Sequence, residues 1–299
     1  MLKVSIVIPS LHDARRLEST LISLLENRPS HCEIVVPHSG HYDDPYEIAD
    51  EVRLIEVPAA RTEMELLAVG VSMCHGEIVH TLTPGATVEP GWFASVLPRF
   101  DRPEVGAVVP ELVDASGKSA CGVTVDGLGL RSAATRSSTV LGPLWQAGFY
   151  RQAVLEALGG LCTRLDEYAD LDVALWIEQA GGVCEVVPEC RVQLDTTSDL
   201  HRVTAERIRL AKTLQLRHQD WFTAHGKSAG KLGWLTRTVG SGSLSVVMSA
   251  LTAGPDAKAA LYRLPDLDDV RAALSGHNPT VRFDARHEPP THAPHRRAA

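Results

Sequence analysis

Five short runs in the first 110 residues are apolar almost without interruption: 4-VSIVIP-9, 33-EIVVP-37, 53-RLIEVP-58, 77-EIVHTL-82 and 105-VGAVVP-110. Runs of this length without polar alternation predict strands buried on both faces, as in a parallel sheet. Between them, 13-DARRLESTLISLLEN-27 and 62-TEMELLAVGVSMCHG-76 carry apolar residues at helical spacing. Leu17, Leu21, Leu24 and Leu25 form one face of the first helix, with Asp13 as its expected N-cap. Gly76 is read as the left-handed residue ending the second. The order is βαβαβ, and its right-handed crossovers collect the loops after strands one, two and four on one edge, where open α/β sheets bind ligands.

Beyond Pro110 the pattern changes. Residues 110–143 are rich in Gly, Ser, Thr and Ala, and 114-DASGKSACG-122 reads as a turn inside a hairpin. The stretch 145–160 predicts a strand leading into a short helix, 169–182 an amphipathic helix and 183–188 another strand. Residues 201–225 predict one basic helix bearing Arg202, Arg207, Arg209, Lys212, Arg217 and His218, either a solvated face or a contact for phosphates or a membrane surface. A further helix is expected at 266–276, and the Pro-, His- and Arg-rich tail 277–299 has too little to bury to order itself. The division expected is thus 1–200 as the main α/β domain, 201–276 as a helical extension, and a disordered tail.

Composition narrows the function classes. The 299 residues carry a formal charge of -8, so no general field attracts nucleic-acid backbones. The six cysteines have no CxxC or His/Cys ligand spacing, which excludes a zinc-finger pattern and a disulfide framework. The N-terminal stretch 1-MLKVSIVIPS-10 reads as a strand rather than a signal peptide, and 239–254 is broken by Gly and Ser short of the about 20 residues a membrane span needs. A cytoplasmic, at most membrane-peripheral, protein is expected. After the first strand, 9-PSLHDAR-15 lacks the glycines that admit a dinucleotide pyrophosphate, and the chain has no G-x-S-x-G nucleophile elbow.

The stretches 4–25, 33-EIVVPHSGHYDDP-45, 70-GVSMCHGEIVHTL-82, 87-TVEPGW-92, 148-GFYRQAVLEALGG-160, 167-EYADLDVALWIEQAGG-182 and 186-VVPE-189 resemble, in order and spacing, the family 2 glycosyltransferases of GT-A fold. The resemblance spans roughly residues 3–195. It implies transfer of a sugar from a nucleotide-sugar donor to a glycan or lipid-linked acceptor. The family's motifs are altered here. His38 and Ser39 stand where paired aspartates usually hold the base, and Thr83, Pro84 and Gly85 where a D-x-D usually binds Mg²⁺ or Mn²⁺. Ala68 replaces a frequent asparagine, and Leu194 or Asp195 a metal-binding histidine.

The resemblance leaves Asp170, from the family's E-D motif, as catalytic base, although an acid opening a helix also suits the helix dipole. Donor contacts are implied for Pro9, His38, Ser39, Arg61, Thr83 and Gly85, and acceptor-side positions for Asp172 and Trp92. No metal cofactor is expected. The leaving diphosphate would then be neutralised by side chains, among them Arg61, His38, His80 and the cations Arg202, Arg207 and Arg209. Two readings follow: a metal-independent, inverting transferase, or a non-catalytic GT-A scaffold that binds a glycan, a nucleotide or a protein.

Overall fold

The computed structural model describes residues 3–196, 203–226, 246–248, 252 and 254–276. Arg202, most of 239–254 and the tail 277–299 lie outside these described residues. The five apolar runs become β1 (Val4–Val7), β2 (Cys32–His38), β3 (Arg53–Glu56), β4 (Ile78–Thr81) and β6 (Val105–Val113). They belong to one sheet with β5 (Ala86–Val88), β7 (Ser119–Ala120), β10 (Phe149–Arg151) and β11 (Val183–Leu194). The order is β3-β2-β1-β4-β10-β6-β11-β5, with β7 on β6. The β3-β2-β1-β4 half is parallel, while β10 runs antiparallel between β4 and β6. A separate hairpin joins β8 (Val123–Val125) to β9 (Arg131–Ala133).

Helix α1 (Ala14–Glu26) starts where the Asp13 carboxylate accepts the Arg16 N–H at 3.1 Å, a cap worth about 1 kcal/mol. It buries Leu17, Leu21 and Leu24 on one face of the sheet, where β5, the β8–β9 hairpin and Trp92 also pack. The opposite face is covered by α2 (Glu63–Ser72), α3 (Gln152–Ala157), α4 (Ala169–Gln179) and the short α8 (Leu267–Leu274). α2 is shorter than its pattern, and Gly76 does not cap it with a left-handed residue. A Cβ on Gly76 would sit 2.7 Å from the Ser5 amide nitrogen, so the glycine serves a close approach to β1 instead.

The basic segment is two helices, α5 (Ala205–Arg217) and α6 (Gln219–Ala224), meeting at His218; α7 (Ala257–Ala260) follows. Ile208, Leu210, Leu214, Trp221 and Phe222 join the core of the main sheet, so the expected extension shares the interior of the first 200 residues. Its cations are also drawn inward. Arg207 and Arg217 are each 8% exposed and His218 1%. Arg209 pairs with Glu206 and Asp256. Among the described residues, no helix is long and apolar enough to cross a membrane.

Candidate functional site

At the carboxyl ends of β1, β2 and β4 the three expected loops meet. Pro9 is buried at the end of β1. Ser10 bridges to His38, and the Ser39 amide donates to the Ser10 carbonyl at 3.2 Å. The Ser39 hydroxyl donates to the Leu11 carbonyl, which pins two loops together rather than presenting a free donor. His38 is 7% exposed, and burial holds its imidazole below the ordinary histidine range, against the fields of Glu56 and Asp43. It is therefore neutral near pH 7 and a poor counter-charge for a diphosphate. Arg61 is exposed at the start of the α2 turn, its amide donating to Glu65 at 2.6 Å.

The loop after β4 is docked onto α1. Thr83 is 8% exposed, and the Gly85 amide donates to both the Arg16 carbonyl at 3.0 Å and the Thr20 hydroxyl at 2.9 Å. Gly85 has φ +86, and a Cβ there would lie 2.3 Å from a carboxylate oxygen of Asp195. That carboxylate is gripped by the Arg16 guanidinium at 2.7 and 2.9 Å, while the Asp195 amide donates to the Gly85 carbonyl at 3.1 Å. The hydrogen bond to Asp195 chiefly keeps Arg16 charged. An acid at position 85 thus has no room, and the corner holds a side-chain cation with its own carboxylate. Both side chains remain partly exposed, 30% for Arg16 and 42% for Asp195.

A divalent cation of the family's kind wants several hard oxygen ligands in one shell. Thr83, Pro84 and Gly85 bring no carboxylate, and Asp195, the acid at this corner, is engaged by Arg16. Among the described residues no three His, Cys, Asp or Glu side chains converge as a metal site. The residues present do not fit Mg²⁺ or Mn²⁺.

Three further expectations are corrected. Asp170 is 1% exposed, and Arg131 of β9, whose side chain is fully buried, donates to both its oxygens at 2.9 and 2.5 Å. The Trp145 and Leu171 amides add 3.1 and 2.7 Å bonds. Both oxygens of this buried carboxylate are taken by protein donors, which closes it to an acceptor hydroxyl. Asp172, expected on the acceptor side, accepts instead from Arg217 at 2.5 Å and His218 Nε2 at 2.7 Å. Burial alone would raise its carboxyl, but His218 and Arg217 bring it below the ordinary range. Trp92 is a core residue, 5% exposed, its ring 4.9 Å from that of His80 and 5.7 Å from that of Phe149.

His80, an expected donor to the leaving group, is wholly buried and stacked on Phe149 at 3.8 Å. Its Nδ1–H donates to the Gly148 carbonyl at 3.0 Å, and burial lowers its pKa to about 3. Of the expected phosphate-binding arginines of the basic helix, Arg207 is spent on Glu167 at 2.8 Å and on the Arg131 carbonyl at 2.6 Å.

Sequence reasoning missed Arg16, Glu63, Asp166 and Arg131. Arg16 was legible as a cation in the first turn of the helix leaving strand one, directly above the ligand edge. Glu63, in the first turn of α2, lies in the fields of Arg16 and Asp166, and burial raises its carboxyl. Asp166 is exposed, adopts φ +44 in the turn before α4, and is shifted upward by desolvation and then by Glu167, Glu206 and Glu65. Arg131 had no signal beyond being an isolated cation in a Gly/Ser/Ala-rich stretch.

Two outcomes follow. Asp170→Asn leaves the Arg131 charge buried without its counter-ion, so urea denaturation should show a loss of about 3–5 kcal/mol; an unchanged midpoint would contradict the clamp. His80 cannot take a proton in the fold, whereas the unfolded chain takes one below its ordinary value of 6.5. Stability should therefore fall by up to about 1.4 kcal/mol per pH unit as the pH drops below that value. In His80→Leu about 2 kcal/mol of the loss between pH 7 and pH 5 should disappear, and an identical pH slope in both proteins would contradict the buried neutral ring.

Residues 5–126 match the model described as glycosyl transferase family 2. No curated protein sequence matches the chain. Among solved structures it is similar to GalNAc-T7 with UDP, GalNAc and Mn²⁺, at TM-score 0.60 and 14% identity over 93% of this chain and 58% of that one. It is also similar to TarS of S. aureus, at TM-score 0.56 and 14% identity over 92% and 55%. A third is the mannosyltransferase PcManGT from Pyrobaculum calidifontis in complex with GDP-Man and Mn²⁺, at TM-score 0.50 and 16% identity over 92% and 86%. The chain thus spans somewhat over half the length of the first two. The family match is confined to residues 5–126, and the fold is that of the GT-A glycosyltransferases to which the chain is similar.

Proposed function

We propose that this protein transfers a glycosyl unit from a nucleoside-diphosphate sugar to an acceptor hydroxyl, with inversion and without a D-x-D metal. The observation that carries the reading is the Arg16–Asp195 pair seated over Gly85, a guanidinium at the corner where the family's third D-x-D residue would stand. A guanidinium matches two phosphate oxygens as it matches two carboxylate oxygens. Arriving diphosphate takes the Arg16 fork from Asp195, and the cation then neutralises the charge that builds on the β-phosphate oxygen as its bond to the anomeric carbon breaks. Two of the similar structures, GalNAc-T7 and PcManGT, hold UDP and GDP-Man, which supports a nucleotide-sugar partner.

The acceptor oxygen attacks the anomeric carbon as the nucleoside diphosphate departs, and its proton must pass to a base. Asp170 is closed off, so the base is Glu63, which lies in the field of Arg16, or Asp166, which acts on Glu63; burial shifts both carboxyls upward, the direction that suits a base. Cytoplasmic placement and the acceptor's glycan or lipid nature remain parts of this proposal. The second reading, a non-catalytic scaffold, is favoured by one observation: the residue aligned with the family's base is locked in an ion pair.

Calorimetric titration with UDP-, GDP- and dTDP-sugars, each with Mn²⁺ and with EDTA, tests the donor site. Binding should persist in EDTA and weaken at least tenfold in Arg16→Gln; silence across the panel, or binding seen only with Mn²⁺, would overturn it. Glu63→Gln or Asp166→Asn should keep donor binding and lose turnover, whereas wild-type binding without any transfer or donor hydrolysis would establish the scaffold reading.

A further inference from the structure

A half-open cavity of about 520 Å³ lies between α2 and α3, bordered by the turn at 159–163 and by Tyr262 and Arg263. It is separate from the Arg16 corner, though Glu65 at its α2 end acts on the Asp166 carboxyl. Its volume falls within the about 300–1,000 Å³ usual for small-molecule sites. We propose that this cavity binds a neutral carbohydrate.

The lining chemistry selects that class. The floor is apolar: Ala68 and Val69 on α2 face Leu155 on α3 and Leu161 beyond it. It suits the CH face of a pyranose ring. The polar lining consists of Glu65, Ser72, Gln152, Glu156, Thr163 and Arg263, of which the two carboxylates can only accept. Each carboxylate gives one oxygen to the protein, Glu65 to the Arg61 amide at 2.6 Å and Glu156 to the Gln152 amide group at 3.3 Å. The remaining oxygens are complementary to sugar hydroxyls, whose O–H donors form charge-assisted bonds with carboxylates.

Other ligands fit less well. An anion meets two carboxylates against one guanidinium, and Arg263 is committed to the Gly159 carbonyl at 3.3 Å and to the Tyr262 ring at 5.3 Å. An acyl chain would bury the remaining oxygens of Glu65 and Glu156 without a donor, at a desolvation cost no apolar contact offsets. The rim also leaves room. Gly159 and Gly160 turn with φ +71 and +88, and a Cβ on Gly160 would meet nothing within 4 Å.

The proposal needs only this cavity, so it stands or falls separately from donor binding at Arg16. Saturation-transfer NMR on the full chain with methyl glycosides of glucose, galactose, mannose and N-acetylglucosamine tests it, with glucose 6-phosphate and butylamine as comparators. At least one methyl glycoside should bind more tightly than both comparators. Ala68→Trp and Ser72→Trp, which fill the cavity from α2, should each weaken that binding at least tenfold while leaving nucleotide-sugar titrations unchanged. Ser72 is exposed, so its variant folds even if Ala68→Trp does not. Absence of glycoside binding in the wild type, binding untouched by the tryptophans, or preference for butylamine or the phosphate would each overturn the assignment.

Discussion

Charge cannot sit in a protein interior without a partner, and the first turn of α4 places two carboxylates there. Asp170 and Asp172 are both buried, and each recruits a cation from another element. Arg131 brings the β8–β9 hairpin to Asp170, and Arg217 with His218 brings the α5–α6 junction to Asp172. Glu167 and Arg207 tie these two arrangements together. The pairs fix the hairpin and the C-terminal helices against the main sheet. They also remove from the chemistry the acid that the family resemblance nominated as base and three of the cations that looked available for phosphate. Removing either member of such a pair leaves the other stranded in low dielectric, so the loss falls on folding before it falls on catalysis.

The opposite corner of the sheet obeys the same rule with a different outcome. Gly85 leaves a space, Asp195 fills it, and Arg16 neutralises Asp195. Here the pair stays partly exposed, so its Coulomb attraction is screened and a better anion can compete for the guanidinium. A buried pair is a structural fixture, and a half-exposed pair beside the ligand edge is exchangeable. That difference in solvation, more than the identity of the residues, separates Asp170 from Arg16 in the functional proposal.

Much of the fold was legible because its signals are periodic. The five apolar runs and the two helices between them are set by burial on both sides of a parallel sheet, and their order and spacing carried the family resemblance. Elements whose residues look polar or small were harder to read: β5 is three residues long and pairs with the distal part of β11, and β8–β9 is too short to show alternation. The candidate site was half legible. The loops after strands one, two and four could be placed at the ligand edge from the pattern, and the resemblance singled out positions 38, 39, 83 and 85 within them. Whether a histidine or an acid faces solvent or its own core depends on partners far along the chain: Phe149 for His80, Arg131 for Asp170, Asp195 for Arg16. The 201–225 cations misled for the same reason, since a basic run looks solvated until Glu167 and Asp172 are seen beneath it.

The central claim is that Asp170 is the counter-ion of a buried arginine and not a proton acceptor. A double-mutant cycle in urea denaturation with Arg131→Met, Asp170→Leu and the pair together measures this directly. The account predicts two costly single variants and a double variant far less destabilised than their sum, a coupling of about 2–3 kcal/mol. Additive single and double effects would show that the two side chains do not depend on each other, and would return Asp170 to the list of candidate bases.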